Sequence, residues 1–336
     1  MIELQGCNNE NFVVLGLGRS GLASARALDA SCTNVICWDD DPEKRSLASS
    51  QGLRVIGSVS DFDWERVDRL IISPGVPHHF PSPHPIVSAA VSAGVLIDND
   101  VGLFFQSIAT ESWEKFSVRP RIVAVTGSNG KSTTASLLHH IFLKLGYKSQ
   151  LAGNIGRGVL DIDPPENNEL IVLELSSYQT EVARILSPDL AIFTNFSADH
   201  LERHGGIGGY LAAKRRLFTE GCPDYSIIGV DELAGLNLAQ QLSASIGDES
   251  IIRVSATKQI RRFDWSIFCD GSYLVEHRKG KQINSIDLKI FDSFVGLHSY
   301  QNAASAYAAC RALGLSPSKI AEAMKGFNGL AHRSQK

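Results

Sequence analysis

Residues 126–133 read Thr-Gly-Ser-Asn-Gly-Lys-Ser-Thr, an order of glycines, hydroxyls and one lysine suited to holding phosphate. The glycines let a loop fold so that its backbone N–H groups converge on an anion. Lys131 adds positive charge for terminal phosphates, and the Ser132 or Thr133 hydroxyl is a hard ligand for Mg²⁺. The pattern is shortened: Val125 stands where G-x-x-x-x-G-K-[ST] has its first glycine, leaving Gly127-x-x-Gly130-Lys131-Ser132. Further along are Glu174, followed by Leu175-Ser176-Ser177, and a polar run from Asn195 through Asp199, His200 and Glu202 to His204. Singly these say little, because a lone Glu is usually solvated and a lone His is more often hydrogen-bonded structure than ligand. Together they offer carboxylate and imidazole groups that could hold Mg²⁺ against phosphate oxygens. Near the start, Gly16-Leu17-Gly18-Arg19-Ser20-Gly21 forms a second anion cradle.

Both cradles sit where α/β elements would place them. Phe12 to Leu15 is an apolar strand entering the first glycines, and Leu22, Ala25 and Leu28 recur at helical spacing after them. A second strand, Val35 to Trp38, ends at Asp39-Asp40-Asp41, about 20 residues past the glycines, where a Rossmann unit places its ribose-binding acid. The glycines and helix N-terminus suit a diphosphate; the competing reading is that the glycines only permit close helix packing. Leu70 to Ile72 is the next strand and stops at Ser73-Pro74-Gly75, a turn at a strand's carboxyl end, where α/β sheets bind ligands. A short helix over Ile86 to Ala93 and a strand at Val95 to Ile97 follow, and the polar stretch Thr110 to Arg121 is the linker candidate. Ile122 to Val125 is a strand into the phosphate loop, and Leu137, Leu138, Ile141, Phe142 and Leu145 mark one face of the helix after it. Leu170 to Leu173 carries Glu174 at a strand tip, and Ala191 to Thr194 carries the Asn195–His204 run. In the helix Tyr210 to Phe218, Lys214 shares a face with Leu211 and Phe218, a spacing that favours a lysine snorkelling to water over one that meets an acid. Residues 251–290 alternate polar with apolar and turn at Asp270-Gly271 and Lys279-Gly280, predicting antiparallel hairpins whose basic residues, Arg253 among them, form a solvated face. Gly296 opens a helix through Ala303, Tyr307 and Cys310, and Ser316-Pro317 starts another.

With 336 residues and about 100 to 200 residues per domain, two α/β domains are expected. Lys plus Arg number 32 against 36 Asp plus Glu, a net charge of −4, so nothing draws the whole chain to nucleic acid or an anionic membrane, and anions must be held locally. No apolar run approaches the ~18 residues of a membrane helix and the N-terminus lacks a signal core, which predicts a cytoplasmic protein. The six cysteines, Cys7, Cys32, Cys37, Cys222, Cys269 and Cys310, are scattered without a C-x-x-C pair. They fit reduced, packing residues, not a zinc site or disulfide framework.

Thr126 to Thr133, Gly153-Asn154-Ile155-Gly156, Leu173-Glu174-Leu175-Ser176-Ser177-Tyr178-Gln179, Asp199-His200-Leu201, Ala212-Ala213-Lys214 and Gly296-x-His298-x-x-x-Asn302 together resemble the Mur ligase family, over nearly the whole chain. The Glu-Leu-Ser-Ser-aromatic-Gln run and the G-x-G-x-x-G opening are most similar to the branch that joins D-glutamate to UDP-N-acetylmuramoyl-L-alanine in peptidoglycan precursor synthesis. The resemblance implies a Rossmann-like domain over residues 1–117 that binds the UDP of the sugar nucleotide, not NAD, with Arg19, Ser20, Asp39, Ser73 and Gly75 around it and Asn154 and Ser176 also facing substrate. It implies a P-loop-type ATPase domain over residues 118–330, with an antiparallel β extension, in which Gly127, Ser128, Asn129, Gly130, Lys131, Ser132, Thr133, Asn302 and Arg333 hold ATP. Lys131, Glu174, His200 and Lys214 become the catalytic set: Ser132 and Glu174 hold one Mg²⁺, His200 and Lys214 serve a second, and Lys214 is carbamylated. It further implies a cytoplasmic monomer whose partners are UDP-N-acetylmuramoyl-L-alanine, ATP and D-glutamate, with neither nucleic acid nor membrane among them.

The sequence departs from the family at Ser299, where Asn is usual near the nucleotide. The resemblance also implies a third α/β domain of about 100 to 150 residues, carrying most of the D-glutamate site, of which 331–336 would be the start. The expectation is a chain that binds the sugar nucleotide and ATP but is deficient in ligation. Two rival readings remain at this point: a non-catalytic nucleotide-binding remnant, and an NAD-dependent dehydrogenase, which leaves the phosphate loop idle.

Overall fold

The structure, a computed structural model, describes residues 1–31, 34–58, 62–110 and 115–329, the side chains of 109 and 110 excepted. Cys32, Arg333, the expected start of a third domain at 331–336 and the middle of the expected linker lie outside the described residues.

Two sheets organise the chain. In the first, β1 (Asn11–Leu15), β2 (Asn34–Trp38), β3 (Arg69–Ile72) and β4 (Leu96–Asp98) are all parallel in the order β2-β1-β3-β4. Helix α1 (Arg19–Ala30) crosses from β1 to β2, and α2 (Pro42–Ser50), α3 (Pro85–Ser92) and α4 (Asp100–Thr110) complete this lobe. The third glycine of the opening motif has a packing role: a Cβ on Gly21 would lie 1.7 Å from the Gly16 carbonyl oxygen, so only glycine lets α1 sit this close to the turn. Because β1 lies between β2 and β3, the chain departs to both sides of it, which opens a crevice at its carboxyl end.

The second sheet has nine strands in the order β13-β12-β11-β10-β9-β8-β5-β7-β6. These are β5 (Arg121–Thr126), β6 (Ser149–Gly153), β7 (Leu170–Glu174), β8 (Leu190–Phe193), β9 (Tyr225–Gly229), β10 (Ile251–Ser255), β11 (Trp265–Asp270), β12 (Tyr273–Arg278) and β13 (Lys281–Asp287). On one face pack α5 (Lys131–Lys144), α9 (Leu297–Ala312) and α10 (Pro317–Met324), where Leu137, Leu138, Ile141 and Phe142 of α5 are fully buried. At about 1.5–3 kcal/mol per buried side chain, this stripe fixes the helix that follows the phosphate loop. The opposite core joins α7 (Ile207–Thr219) and α8 (Leu233–Ile246) to α1 and α4 of the first lobe, and a short α6 (Ser177–Val182) follows β7.

Two expectations for residues 251–290 are corrected. The turns at Asp270-Gly271 and Lys279-Gly280 do form antiparallel hairpins, but β10 is parallel to both β9 and β11 and extends the central sheet. Alternation alone cannot distinguish parallel from antiparallel pairing. Arg253 is 2% exposed, paired with the part-exposed Asp248 at 2.6 Å and stacked on Phe263; its guanidinium is buried, not part of a solvated face. Of the five cysteines described, four are buried, while Cys222 is exposed.

Candidate active site

The phosphate loop joins β5 to α5 at the switch point of the central sheet, between β7 and β8. Gly130 is left-handed (φ 78°) and caps α5, and a Cβ there would lie 2.1 Å from Asn302 Oδ1. The loop is held from β8: Ser128 N donates to the Asn195 carbonyl (3.0 Å), Asn129 N to Asn195 Oδ1 (2.9 Å), and Thr194 Oγ1 to the Asn129 carbonyl (2.6 Å). Lys131 folds over the loop and donates to the Ser128 carbonyl at 2.8 Å, while Ser132 is nearly buried in the first turn of α5 with Thr133 beside it. Sequence reasoning missed Asn195, Thr194 and Gln301, which positions Asn195 through a 3.0 Å contact with its amide; the only signal was a polar cluster after a strand.

Glu174 stands at the tip of β7, opposite Val125 of β5, and is 1% exposed. Its Oε1 accepts from Asn154 Nδ2 at 3.3 Å, whereas its Oε2 is buried and has no hydrogen-bond partner among the described residues. A buried carboxylate oxygen left in that state is costly unless a cation completes it. Lys214 lies close by. It is 1% exposed, donates to the Gly127 carbonyl at 2.7 Å and sits 4.5 Å over the Tyr210 ring. The snorkelling lysine expected from spacing is therefore corrected: the neighbouring loop closes over its end and supplies a carbonyl in place of water. Burial first, then the charge of Lys131, push its pKa down to about 7, with Asp199 and Glu174 opposing the shift. Lys131, Glu174, Asp199 and Lys214 thus share one electrostatic neighbourhood. His200 is on the rim, half-exposed with a left-handed backbone (φ 50°); its partners are Asp199 at 3.4 Å and the Tyr178 ring at 5.3 Å. Among the described residues no three His, Cys, Asp or Glu side chains form a metal cluster.

Asn302 reaches the loop from α9, its Oδ1 accepting from Thr134 Oγ1 at 3.4 Å. Ser299, one turn earlier, donates to the Ser293 carbonyl at 3.3 Å. Ser176 caps α6 in a reciprocal box with Gln179, which explains the Ser-x-x-Gln spacing.

At the carboxyl ends of β1 and β3 lies a cavity of about 460 Å³ that includes Gly16, Gly18, Arg19, Ser20, Asp39, Ser73 and Gly75 in its lining, with Asp40, Lys44 and His84 besides. Asp40 belongs to the acidic run already marked at the end of β2, whereas Lys44 and His84, in the first turn of α2 and at the cap of α3, were not anticipated. Asp39 accepts from the Leu17 amide (2.6 Å) and the Asp41 amide (2.9 Å), so its oxygens brace the glycine turn. Ser73 Oγ donates to the Gly16 carbonyl at 2.7 Å. Arg19 crosses to the other lobe and donates to the carbonyls of Gly153 (3.1 Å) and Asn154 (2.9 Å). A larger cavity of about 1020 Å³, around Arg121, Cys222 and Tyr225, lies at the opposite, amino end of the central strands and contains none of these groups.

Known proteins resemble this chain along its whole length. Residues 125–310 match the Mur ligase middle domain. The chain is 55% identical over 335 residues to UDP-N-acetylmuramoylalanine--D-glutamate ligase of Cereibacter sphaeroides, covering 100% of this chain and 72% of the relative. The enzyme of the same name from Ruegeria pomeroyi is also 55% identical, with the same coverage. Among solved structures, UDP-N-acetylmuramate:L-alanyl-gamma-D-glutamyl-meso-diaminopimelate ligase from Neisseria meningitides superposes with a TM-score of 0.59 at 16% identity, over 96% of this chain and 99% of that one. UDP-N-acetylmuramate-alanine ligase from Thermotoga maritima gives 0.51 at 19% identity, over 95% of this chain and 69% of that one. A family match across more than half the chain, joined to this level of identity along all of it, means that the chain belongs to the Mur ligase family.

Proposed function

We propose that the protein is an ATP-dependent amide ligase that adds D-glutamate to UDP-N-acetylmuramoyl-L-alanine through an acyl phosphate, with residues 1–117 holding the sugar nucleotide and residues 118–330 holding ATP. The observation that carries this is the unpartnered Glu174 oxygen behind a lysine-bearing phosphate loop, beside a separate nucleotide-sized cavity. A dehydrogenase reading is not favoured, since it leaves the lysine-bearing phosphate loop of the central sheet without a ligand to hold.

The chemistry joins two anions. The substrate carboxylate attacks the γ-phosphorus of ATP, the bond to the β,γ-bridging oxygen breaks, and ADP leaves with its electrons. Lys131 and the loop amides neutralise the phosphates and hold them in line. The amine of D-glutamate then attacks the acyl phosphate carbonyl, phosphate departs, the amide forms and the amine loses a proton. The residues fit Mg²⁺: Ser132 and Glu174 would hold one ion, and His200 with carbamylated Lys214 a second. Bound Mg²⁺ would draw off charge from the phosphates and the attacking carboxylate. Lys214 suits carbamylation, in which a neutral amine adds to CO₂ and releases a proton, because a pKa of about 7 leaves much of it uncharged near neutrality. Both nucleotides are cytoplasmic metabolites, and among the described residues no helix is long and apolar enough to cross a membrane.

Hydroxylamine trapping tests the reading without D-glutamate. A hydroxamate is expected only with both ATP and the sugar nucleotide, and is lost in Lys131→Ala; a hydroxamate that persists in that variant counts against the assignment.

A further inference from the structure

Beyond the groups already placed around the nucleotides, one partly buried cluster joins the two lobes. Glu181, in the last turn of α6, presents Oε2 2.7 Å from His204 Nδ1 and 3.6 Å from His78 Nε2. Burial raises the Glu181 carboxyl, but the two imidazoles more than reverse this and hold it down near 2. The His204 side chain is wholly buried. Its Nε2 lies 2.9 Å from Ser177 Oγ, and its ring stacks on Tyr178 at 5.1 Å and 10°. It also lies 5.3 Å from the Tyr210 ring, whose hydroxyl is 3.2 Å from Ser128 Oγ in the phosphate loop. Tyr178 carries the contact on to His200.

On the other side, His78 directly follows Ser73 to Pro77, which line the first-lobe cavity. Two further contacts run beside it. Arg203 donates to the Gly75 carbonyl at 3.3 Å, and the Phe80 ring covers Gly205, where a Cβ would come within 2.6 Å of it. The loop around the first cavity is thereby tied to the segment that borders the phosphate loop.

We propose that Glu181 is a positioning residue: held between His78 and His204, it transmits occupancy of the sugar-nucleotide cavity to the ATP site. This rests on the ligase reading above. By linkage, each ligand must then tighten the other by the same factor. A clasp that only stabilises the fold makes a different prediction: its loss weakens both sites alike and leaves their ratio unchanged.

Calorimetric titration of the whole chain with the β,γ-methylene analogue of ATP and Mg²⁺, with and without saturating UDP-N-acetylmuramoyl-L-alanine, measures that factor. About fivefold or more is expected for the wild type, falling to within about twofold of unity in Glu181→Gln, with each ligand alone bound within about threefold of wild type. His78→Ala keeps the buried His204–Glu181 pair and is expected to lose the same coupling, which covers the case of a Glu181 variant that does not fold. Coupling that survives in either variant, or a wild type that binds both ligands without coupling, overturns the proposal while leaving the ligase reading intact. A wild type that binds neither ligand overturns both.

Discussion

Glu174 and Lys214 are two buried ionisable groups at the candidate site, each 1% exposed. Replacing Glu174 by Gln removes a buried charge, so without Mg²⁺ the variant is expected to melt no lower than the wild type, while its Mg²⁺-dependent affinity for ATP falls at least about tenfold. Thermal scans and nucleotide titration check the two halves together. Asp98 shows a titration that belongs to folding. Burial raises its pKa from 3.8 to about 6, against hydrogen bonds from the Arg184 and Asn99 amides and the nearby Arg69 charge. Its folded value lies above its unfolded one, so between pH 3.8 and about 6 the native state binds the extra proton and stability falls as pH rises through that window. The stability difference between Asp98→Asn and wild type is therefore expected to grow by about 2–3 kcal/mol from pH 4 to pH 7 in the variant's favour, as read by urea unfolding. At this scale the sequence was partly legible. Lys131 and Glu174 were marked by their motifs, but the burial of Lys214 depended on a carbonyl from a distant loop, which helical spacing cannot see.

Elements were more legible than their partners. The strand–loop–helix order around both glycine motifs could be read directly, because apolar runs and helical spacing are local. The pairing of β10 with β9 could not, since it is decided by a segment about 25 residues back, nor could the inward turn of Arg253, since strand alternation does not say which face another element covers. Gly130→Ala would force a side chain into left-handed backbone and onto Asn302; the expected outcome is loss of ATP binding with about 1–3 kcal/mol of destabilisation, measured by titration and denaturant melts. Helix α9 is tied to β12 through Glu276, which is fully buried and accepts from Tyr307 OH (2.7 Å) and Arg311 Nε (2.8 Å). Glu276→Ala leaves Arg311 without its carboxylate partner, and should cost about 3–5 kcal/mol by chemical denaturation.

Across the whole molecule, the two sheets each open a crevice at their strands' carboxyl ends, and Arg19 and the Glu181 cluster bind one to the other. Neither link could be anticipated from the sequence, where Arg19 read only as part of a phosphate cradle and His204 as one of several polar residues. The ligase reading requires the sugar-nucleotide carboxylate to take the γ-phosphoryl group of ATP within this arrangement. Positional isotope exchange with ATP labelled by oxygen-18 in the β,γ-bridge tests it most directly, because reversible acyl phosphate formation moves the label into the β non-bridging positions with no D-glutamate present. Scrambling that requires UDP-N-acetylmuramoyl-L-alanine is the predicted result; label that stays in place, or scrambles equally without the sugar nucleotide, would contradict it.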